Sequence, residues 1–166
     1  MEIRCAGLVD DSVVDGDGYR LTVFTQGCPH HCPGCHNPKT HDFAGGSIYQ
    51  AEDILAKIKA NPLLSGVTFS GGEPFCQPEP LSWLAREVHA LGLDVWSYSG
   101  YTLEEIEQHG SEAMKELLSN IDVLVDGPFL EAERDLTLRF RGSRNQRVID
   151  MKATREAGKI VLKYED

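Results

Sequence analysis

Residues 66–99 read GVTFSGGEPFCQPEPLSWLAREVHALGLDVWSYS. They hold a short β-rich run, GVTFS, then a turn of glycine and proline. A helix follows, PLSWLAREVHALG, closing at Gly92. A second β-rich run, LDVWSYS, completes the unit. Two strands joined through a helix imply parallel strands with a helical crossover, so this stretch sets the fold class as α/β.

The same alternation extends outward. Upstream, SIYQAEDILAKIKAN has Ser47 and Gln50 at capping-box spacing and Ile54, Leu55 and Ile58 on one helical face. Downstream, TLEEIEQHG opens with a second capping box, Thr102 to Glu105, and SEAMKELLSN adds a further helical turn or two. IDVLVD is a strand, and KIVLKY is one more. The first segment reads as two strands, around residues 2–9 and 19–25, joined by a turn near DGDG. Those aspartates lack the glutamate-ended pattern of a calcium loop. A closed eight-unit barrel takes ~250 residues, and the chain has 166. The expectation is therefore one domain over residues 1–166, a partial, open TIM-barrel-like parallel sheet with helical crossovers. Its site should lie in the loops at the C-terminal ends of the strands.

Composition narrows the function classes. Basic residues number 16 against 26 acidic, a net charge of −10, which is the reverse of a nucleic-acid reader's balance. No stretch approaches the ~20 apolar residues of a membrane span. The opening MEIRCAGLVDD has no basic-then-apolar pattern, so the cytoplasm is the expected location. Neither a nucleic acid nor a membrane is expected as partner.

Residues 27–40, GCPHHCPGCHNPKT, carry Cys28, Cys32 and Cys35 on one long loop, roughly 26–46. Loops of that length without periodicity are usually functional or disordered, and metal-ligand spacing favours the first. The chain has five cysteines, with Cys5 and Cys76 far from the trio. In a reducing compartment clustered thiols hold a metal or do redox work rather than form a disulfide framework. Zinc would need a fourth protein ligand, from His30, His31 or His36, making the chain a non-catalytic zinc-binding module. Against that, no second ligand pair follows, and His36 beside Cys35 strains to reach the same ion. An electron-carrying ferredoxin supplies four cysteines to its cluster, one more than this loop holds. Three thiols leave one iron open; Cys76 could fill it, though a lone distant cysteine reads as a buried small hydrophobe.

The spacing Cys28-x-x-x-Cys32-x-x-Cys35 resembles the signature of the radical S-adenosylmethionine (SAM) superfamily, and FSGGEPF, with Ser70, Gly71, Gly72, Glu73 and Pro74, resembles its GGEP motif. The series continues with SYSGYTLEEI, VLVDGPF and FRGSRNQR. Over roughly residues 20–150 the chain is similar to the activating proteins of anaerobic ribonucleotide reductases; activases of pyruvate formate-lyase, the alternative, are considerably longer. In the broad superfamily the residue before the third cysteine is usually aromatic and packs on adenine. Here it is Gly34, as in the reductase activases.

The resemblance implies an open-barrel radical SAM enzyme whose Cys28, Cys32 and Cys35 hold a [4Fe-4S] cluster, with SAM chelating the fourth iron. One electron from the reduced cluster would give methionine and a 5′-deoxyadenosyl radical, which takes a Cα hydrogen from a glycine of the partner reductase. A flavodoxin- or ferredoxin-type protein would supply the electron. Gly34 would leave room near the cluster, and His36 or Tyr98 would face the adenine. Ser70, Gly71 and Gly72 would approach the methionine portion, with Glu73 accepting a hydrogen bond from its ammonium group. Tyr98 and Ser99 would contact SAM, and Asp126 would hold the SAM region or a cation. In RGSRNQR, Arg141, Arg144 and Arg147 stand out in an acidic protein, and Asn145 and Gln146 are given a site or partner role. His30 and His31 are read as exposed loop residues, and Trp83 and Trp96 as core or interface packing.

Overall fold

The computed structural model describes residues 1–35 and 38–164. In chain order the elements are β1 (Glu2–Ser12), β2 (Arg20–Thr25), β3 (Ser47–Gln50), α1 (Ala51–Lys59), β4 (Gly66–Gly71), α2 (Pro78–Ala90), β5 (Asp94–Tyr98), α3 (Leu103–His109), α4 (Glu112–Ser119), β6 (Val123–Asp126), β7 (Arg147–Asp150), α5 (Met151–Ala157) and β8 (Leu162–Tyr164). All eight strands form one sheet, ordered β3-β1-β2-β4-β5-β6-β7-β8.

The sheet is mixed, which corrects the expectation of a parallel sheet beyond the first hairpin. β2, β4, β5 and β6 pair in parallel, and the crossovers β4–α2–β5 and β5–α3–α4–β6 supply the helices. Outside this core the pairs β3–β1, β1–β2, β6–β7 and β7–β8 are antiparallel. The physical reason lies in the connections. A hairpin loop joins β1 to β2, and β6 reaches β7 through a long irregular segment rather than a full crossover helix, so the returning strand runs the other way. Ser47–Gln50 is likewise a strand paired with β1 and not a capping box. α1 starts after it, with Gln50 as an N-cap that makes no side-chain bond. The second capping box is present: the Glu105 amide donates to Thr102 Oγ1 at 3.1 Å and the Thr102 amide to Glu105 Oε1 at 3.0 Å.

Alternation along the central strands separates two faces. Leu21, Val23, Val67, Phe69, Val95, Leu124 and Ile149 pack under the helices, against Ile54, Ile58, Leu81, Leu84, Val88 and Leu117. Each such side chain contributes about 1.5–3 kcal/mol when fully buried. The opposite face carries Arg20, Thr22, Thr68, Trp96, Val125 and Val148. Arg20 has no exposed surface and is fully engaged. It donates to Thr68 Oγ1 at 2.7 Å, to the Val67 and Asp17 carbonyls at 2.9 Å and to Asp94 at 2.5 Å. Its guanidinium lies 5.4 Å from the Trp96 ring centroid.

The DGDG turn is the expected hairpin connection and also a cover for that face. Thr68 Oγ1 donates to the Asp15 carbonyl at 2.7 Å, and Tyr164 Oη on β8 donates to Asp17 at 2.6 Å. The turn thereby ties one side of the sheet to the other. Among the described residues no helix is long and apolar enough to cross a membrane.

Candidate functional site

A cavity of about 370 Å³ opens at the C-terminal ends of β2, β4, β5 and β6. Cys28, Cys32 and Cys35 all line it, together with Ser70, Gly71 and Gly72 from the end of β4 and Tyr98, Ser99 and Gly100 from the end of β5. Motifs separated by about seventy positions in the sequence thus share one space.

The cysteine loop is closed at its base by its own returning strand of backbone. The Gly27 amide donates to the Thr40 carbonyl at 2.7 Å and the Cys28 amide to the His41 carbonyl at 3.1 Å. Gln26 Nε2 donates across the same gap to the Lys39 and Asp42 carbonyls at 3.0 and 2.7 Å. Cys28 is buried and Cys32 and Cys35 are half-buried. Burial pushes the Cys28 thiol pKa up, partly offset by hydrogen bonds from the His30 and His31 backbone. Among the described residues no three His, Cys, Asp or Glu side chains gather around one point as ligands of a single ion would.

Two glycines let β4 press against that loop. Gly71 has φ 91°, and a Cβ there would lie 2.5 Å from both the Thr25 amide nitrogen and its carbonyl oxygen. A Cβ on Gly72 would run into the Gly27 carbonyl and come within 2.8 Å of the Thr40 oxygen. The Gly72 and Glu73 amides donate to the Thr25 and Gly27 carbonyls, each at 2.8 Å. The glycines serve backbone-to-backbone contact first.

Glu73 occupies a different place from the one expected. Its side chain has no exposure and does not line the cavity. Oε1 accepts from His30 Nε2 at 2.6 Å and from the Gly100 amide at 2.8 Å. Oε2 accepts from the Phe75 amide at 3.0 Å, and Ser99 Oγ donates at 2.9 Å. One buried carboxylate therefore links the cysteine loop, its own turn and the loop after β5. His30, expected as an exposed loop residue, is mostly buried here and sits edge-on to Tyr101 with centroids 4.5 Å apart. His31 is exposed, as read.

Asp126 also faces inward. It accepts from Arg147 Nε at 3.0 Å, from Arg147 Nη2 at 2.5 Å and from the Leu103 amide at 2.8 Å, so it anchors the start of α3 to β7. Arg147 is completed by Glu104 at 2.5 Å. Tyr98 lines the cavity, and burial with the nearby Asp15 charge pushes its phenol pKa up. Gly34 sits in the cysteine loop with φ 73°. His36 lies outside the described residues. Cys76, read as a buried small hydrophobe, is exposed and does not line the cavity, because the short turn after Glu73 turns it outward. Cys5 is the buried one, its thiol pKa pushed up to about 12 by burial.

Within RGSRNQR, Arg141 and Gln146 reach the cavity. Asn145 and Gln146 clamp the segment after β6, donating to the Pro128 carbonyl at 2.8 Å and the Gly127 carbonyl at 3.0 Å. Trp96 is buried with Val123, Val125 and Val148 on one sheet face, and Trp83 is partly buried against the separate core under the helices. The sequence reading missed Val14, Asp15, His41, Phe129 and Phe140 as cavity residues. The signals present were the DGDG turn and the aromatic residue following a strand end in VDGPF. Phe140, at φ 60°, carries none that a sequence displays.

Comparison with known proteins bears on the chemistry. Residues 14–149 match the family model described as a 4Fe-4S single cluster domain. The anaerobic ribonucleoside-triphosphate reductase-activating protein of Vibrio cholerae serotype O1 is 38% identical over 143 residues, covering 81% of this chain and 89% of that one. The protein of the same name from Escherichia coli K12 is 32% identical, covering 81% and 90%, and that of Enterobacteria phage T4 is 33% identical, covering 81% and 86%. QueE from Escherichia coli aligns over 61% of this chain and 54% of its own, with TM-score 0.48 and 19% identity, too loose a likeness to carry an argument. On the family match and on relatives of this identity and coverage, the chain belongs to the 4Fe-4S single cluster domain family, among the anaerobic ribonucleoside-triphosphate reductase-activating proteins.

Proposed function

We propose that this chain is a radical SAM enzyme that activates an anaerobic ribonucleoside-triphosphate reductase by placing a radical on a glycine of that protein. The observation that carries the reading is the meeting of three thiols, the GGEP strand end and the SYSG strand end in one cavity. The donor set fits a cubane cluster. Three cysteines line the cavity and neither of the other two does, a set that suits a cluster three of whose irons each take one thiolate. When bound, the reduced cluster would give one electron to the sulfonium of SAM, breaking a carbon–sulfur bond to release methionine and leave a carbon-centred oxidant able to take a hydrogen atom from a glycine Cα.

The chain's own residues do the rest. Cys28, Cys32 and Cys35 would hold the cluster and leave one corner for SAM, whose reacting centre would then be a bound neighbour of the cluster rather than a diffusing one. Ser70, Gly71 and Gly72 form the wall that the methionine portion lies against. Tyr98, Ser99 and Gly100 form the next wall. Glu73 fixes the spacing between these walls and the cysteine loop from behind, through His30, Ser99 and the Gly100 amide. Asp126 acts at one remove, holding the end of β6 in register with α3 and β7 through Arg147. The cavity is open on one side, and the partner seated over it would keep water from a reactive radical.

Residues 1–166 act as one domain in this reading, with the sheet as an open, barrel-like surface that the partner covers. The glycine-bearing segment of the reductase reaches the cavity from the open side, and a flavodoxin- or ferredoxin-type protein delivers the electron in the cytoplasm. The acidic surface supports the absence of a nucleic-acid partner. The test is incubation of the anaerobically reconstituted protein with SAM, a reductant and the reductase, followed by electron paramagnetic resonance. A glycyl radical on the reductase supports the proposal. A radical formed only on a pyruvate formate-lyase would reassign the substrate, and stoichiometric zinc in place of about four irons would end the reading.

A further inference from the structure

Between β6 and β7 the chain forms a tongue that the core does not require. Residues 133–135 and 142–144 run antiparallel: Arg134 and Ser143 pair as an isolated bridge, the Asp135 amide donates to the Gly142 carbonyl at 3.1 Å and the Arg144 amide to the Glu133 carbonyl at 2.9 Å. Gln146 Oε1 accepts from the Gly142 and Ser143 amides at 2.9 and 3.2 Å, which fixes the root. Nearer the tip, Phe140 sits at φ 60°, a conformation uncommon outside glycine. Its ring holds it there, edge-on to Trp96 at 5.2 Å and against Tyr164 at 5.9 Å. The tongue is thus set in shape before any partner arrives.

What it shows to solvent differs from the rest of the surface. Leu136 is 77% exposed, an apolar side chain with no place in either core cluster. Residues 136–147 hold four arginines and no acidic residue, in a chain of net charge −10. Arg147 is taken up by Asp126 and Glu104, and Arg139 lies over the Tyr164 ring at 5.1 Å. Arg144 is exposed and makes no ion pair among the described residues; Asp135 feels its charge from further off and is itself bonded by Thr137 Oγ1 at 2.6 Å. The tongue also stands at the cavity, which Phe140, Arg141 and Gly142 line together with the three cysteines. Val14, 72% exposed, lines the same space from the β1–β2 turn.

We infer that the tongue, residues 134–144, is the docking contact for the reductase, with Leu136 entering an apolar recess and the arginines meeting an acidic rim on the face that carries the target glycine. This rests on the activation reading above and assigns the surface by which that partner is held. A second copy of this acidic chain offers carboxylates too, yet seated here it would close the cavity to the glycine, whereas the reductase has to pass this edge to reach the interior. Opposite charge at the rim steers the encounter, and the buried leucine holds the complex once formed.

The experiment is anaerobic biolayer interferometry of the cluster-loaded protein against the intact reductase, at low and at high salt. Arg144→Glu is expected to slow association roughly tenfold at low salt, a difference that shrinks as salt screens the charges. Leu136→Ser is expected to weaken binding roughly tenfold at either salt, since what it removes is apolar burial. Both positions are exposed, so the variants keep their fold, and SAM affinity measured without the reductase stays within about twofold. Unchanged reductase binding in both variants, with a glycyl radical still formed by the unaltered protein, overturns this assignment and leaves the activation reading standing. SAM affinity lost in step with reductase binding overturns it as well, since the tongue would then act through the cavity. So does intact reductase binding with slower reduction by a flavodoxin- or ferredoxin-type protein, or with altered self-association in light scattering; these give the surface to an electron donor or to a second copy. An unaltered protein that neither binds the reductase nor forms the radical defeats the reading on which the assignment rests.

Discussion

Replacing Glu73 by alanine perturbs the point where three loops meet. The carboxylate has no exposed surface and accepts from the Phe75 and Gly100 amides, Ser99 Oγ and His30. Alanine leaves two amides and a hydroxyl without partners in a site closed to water, at about 1–3 kcal/mol for each stranded donor. His30 loses less, because part of its ring already reaches solvent. The expected cost is about 3–5 kcal/mol, in the range found when a buried charged group loses its counterpart. For a chain of this length that lowers the melting temperature by about 6–20 °C. Glu73→Gln keeps the shape and one accepting oxygen but turns an amide toward an amide, and should cost about half as much. Circular dichroism melts of anaerobically reconstituted protein measure both, with iron content measured alongside. A loss under about 1 kcal/mol with full iron retention would refute the reasoning, because a carboxylate so placed cannot be removed at no cost.

Cys32→Ala should give a folded chain that loses its iron and cleaves no SAM, while Cys76→Ala keeps both; anaerobic iron and sulfide analysis separates the two, and equal iron loss would undo the three-thiol account. Gly72→Val should lower stability by about 1–3 kcal/mol and weaken SAM binding, since its side chain must displace the Gly27 and Thr40 carbonyls that shape the cysteine loop; a normal urea midpoint contradicts this. Arg147→Met strands the buried Asp126 carboxylate and should cost about 3–5 kcal/mol, whereas Arg147→Met combined with Asp126→Asn recovers part of it. A double variant no more stable than the single one would show that the pair is not coupled.

Much of the α/β core was legible because its signals are local. The capping box at Thr102, the apolar face of Ile54, Leu55 and Ile58, and the β-rich runs before GGEP and SYSG each follow from neighbours a few residues apart. The flanks were not legible. Whether Ile48 and Tyr49 extend a helix or pair with β1 depends on a strand about forty-five positions away, and the direction of β7 depends on how the long segment after β6 returns. The site divides in the same way. Cysteine spacing and glycine at a strand end announce themselves, because few other residues meet those needs. Glu73 was read toward an ammonium group and Asp126 toward the SAM region or a cation, and both bond protein groups here: a carboxylate in a ligand loop reads the same in sequence whether it faces a ligand or braces the loop from behind. Phe129 and Phe140 look like ordinary core residues until the fold places them along the cavity that the thiols also line.

The central claim is that Cys28, Cys32 and Cys35 hold a cluster whose remaining iron is open to SAM. The most direct measurement is the electron paramagnetic resonance spectrum of the anaerobically reduced protein with and without SAM, under conditions that prevent turnover. The account predicts a cubane signal whose g values shift when SAM is added, because the molecule binds the metal itself. Spectra that superimpose in the presence of saturating SAM would contradict it, as would a metal centre whose ligands all come from the chain.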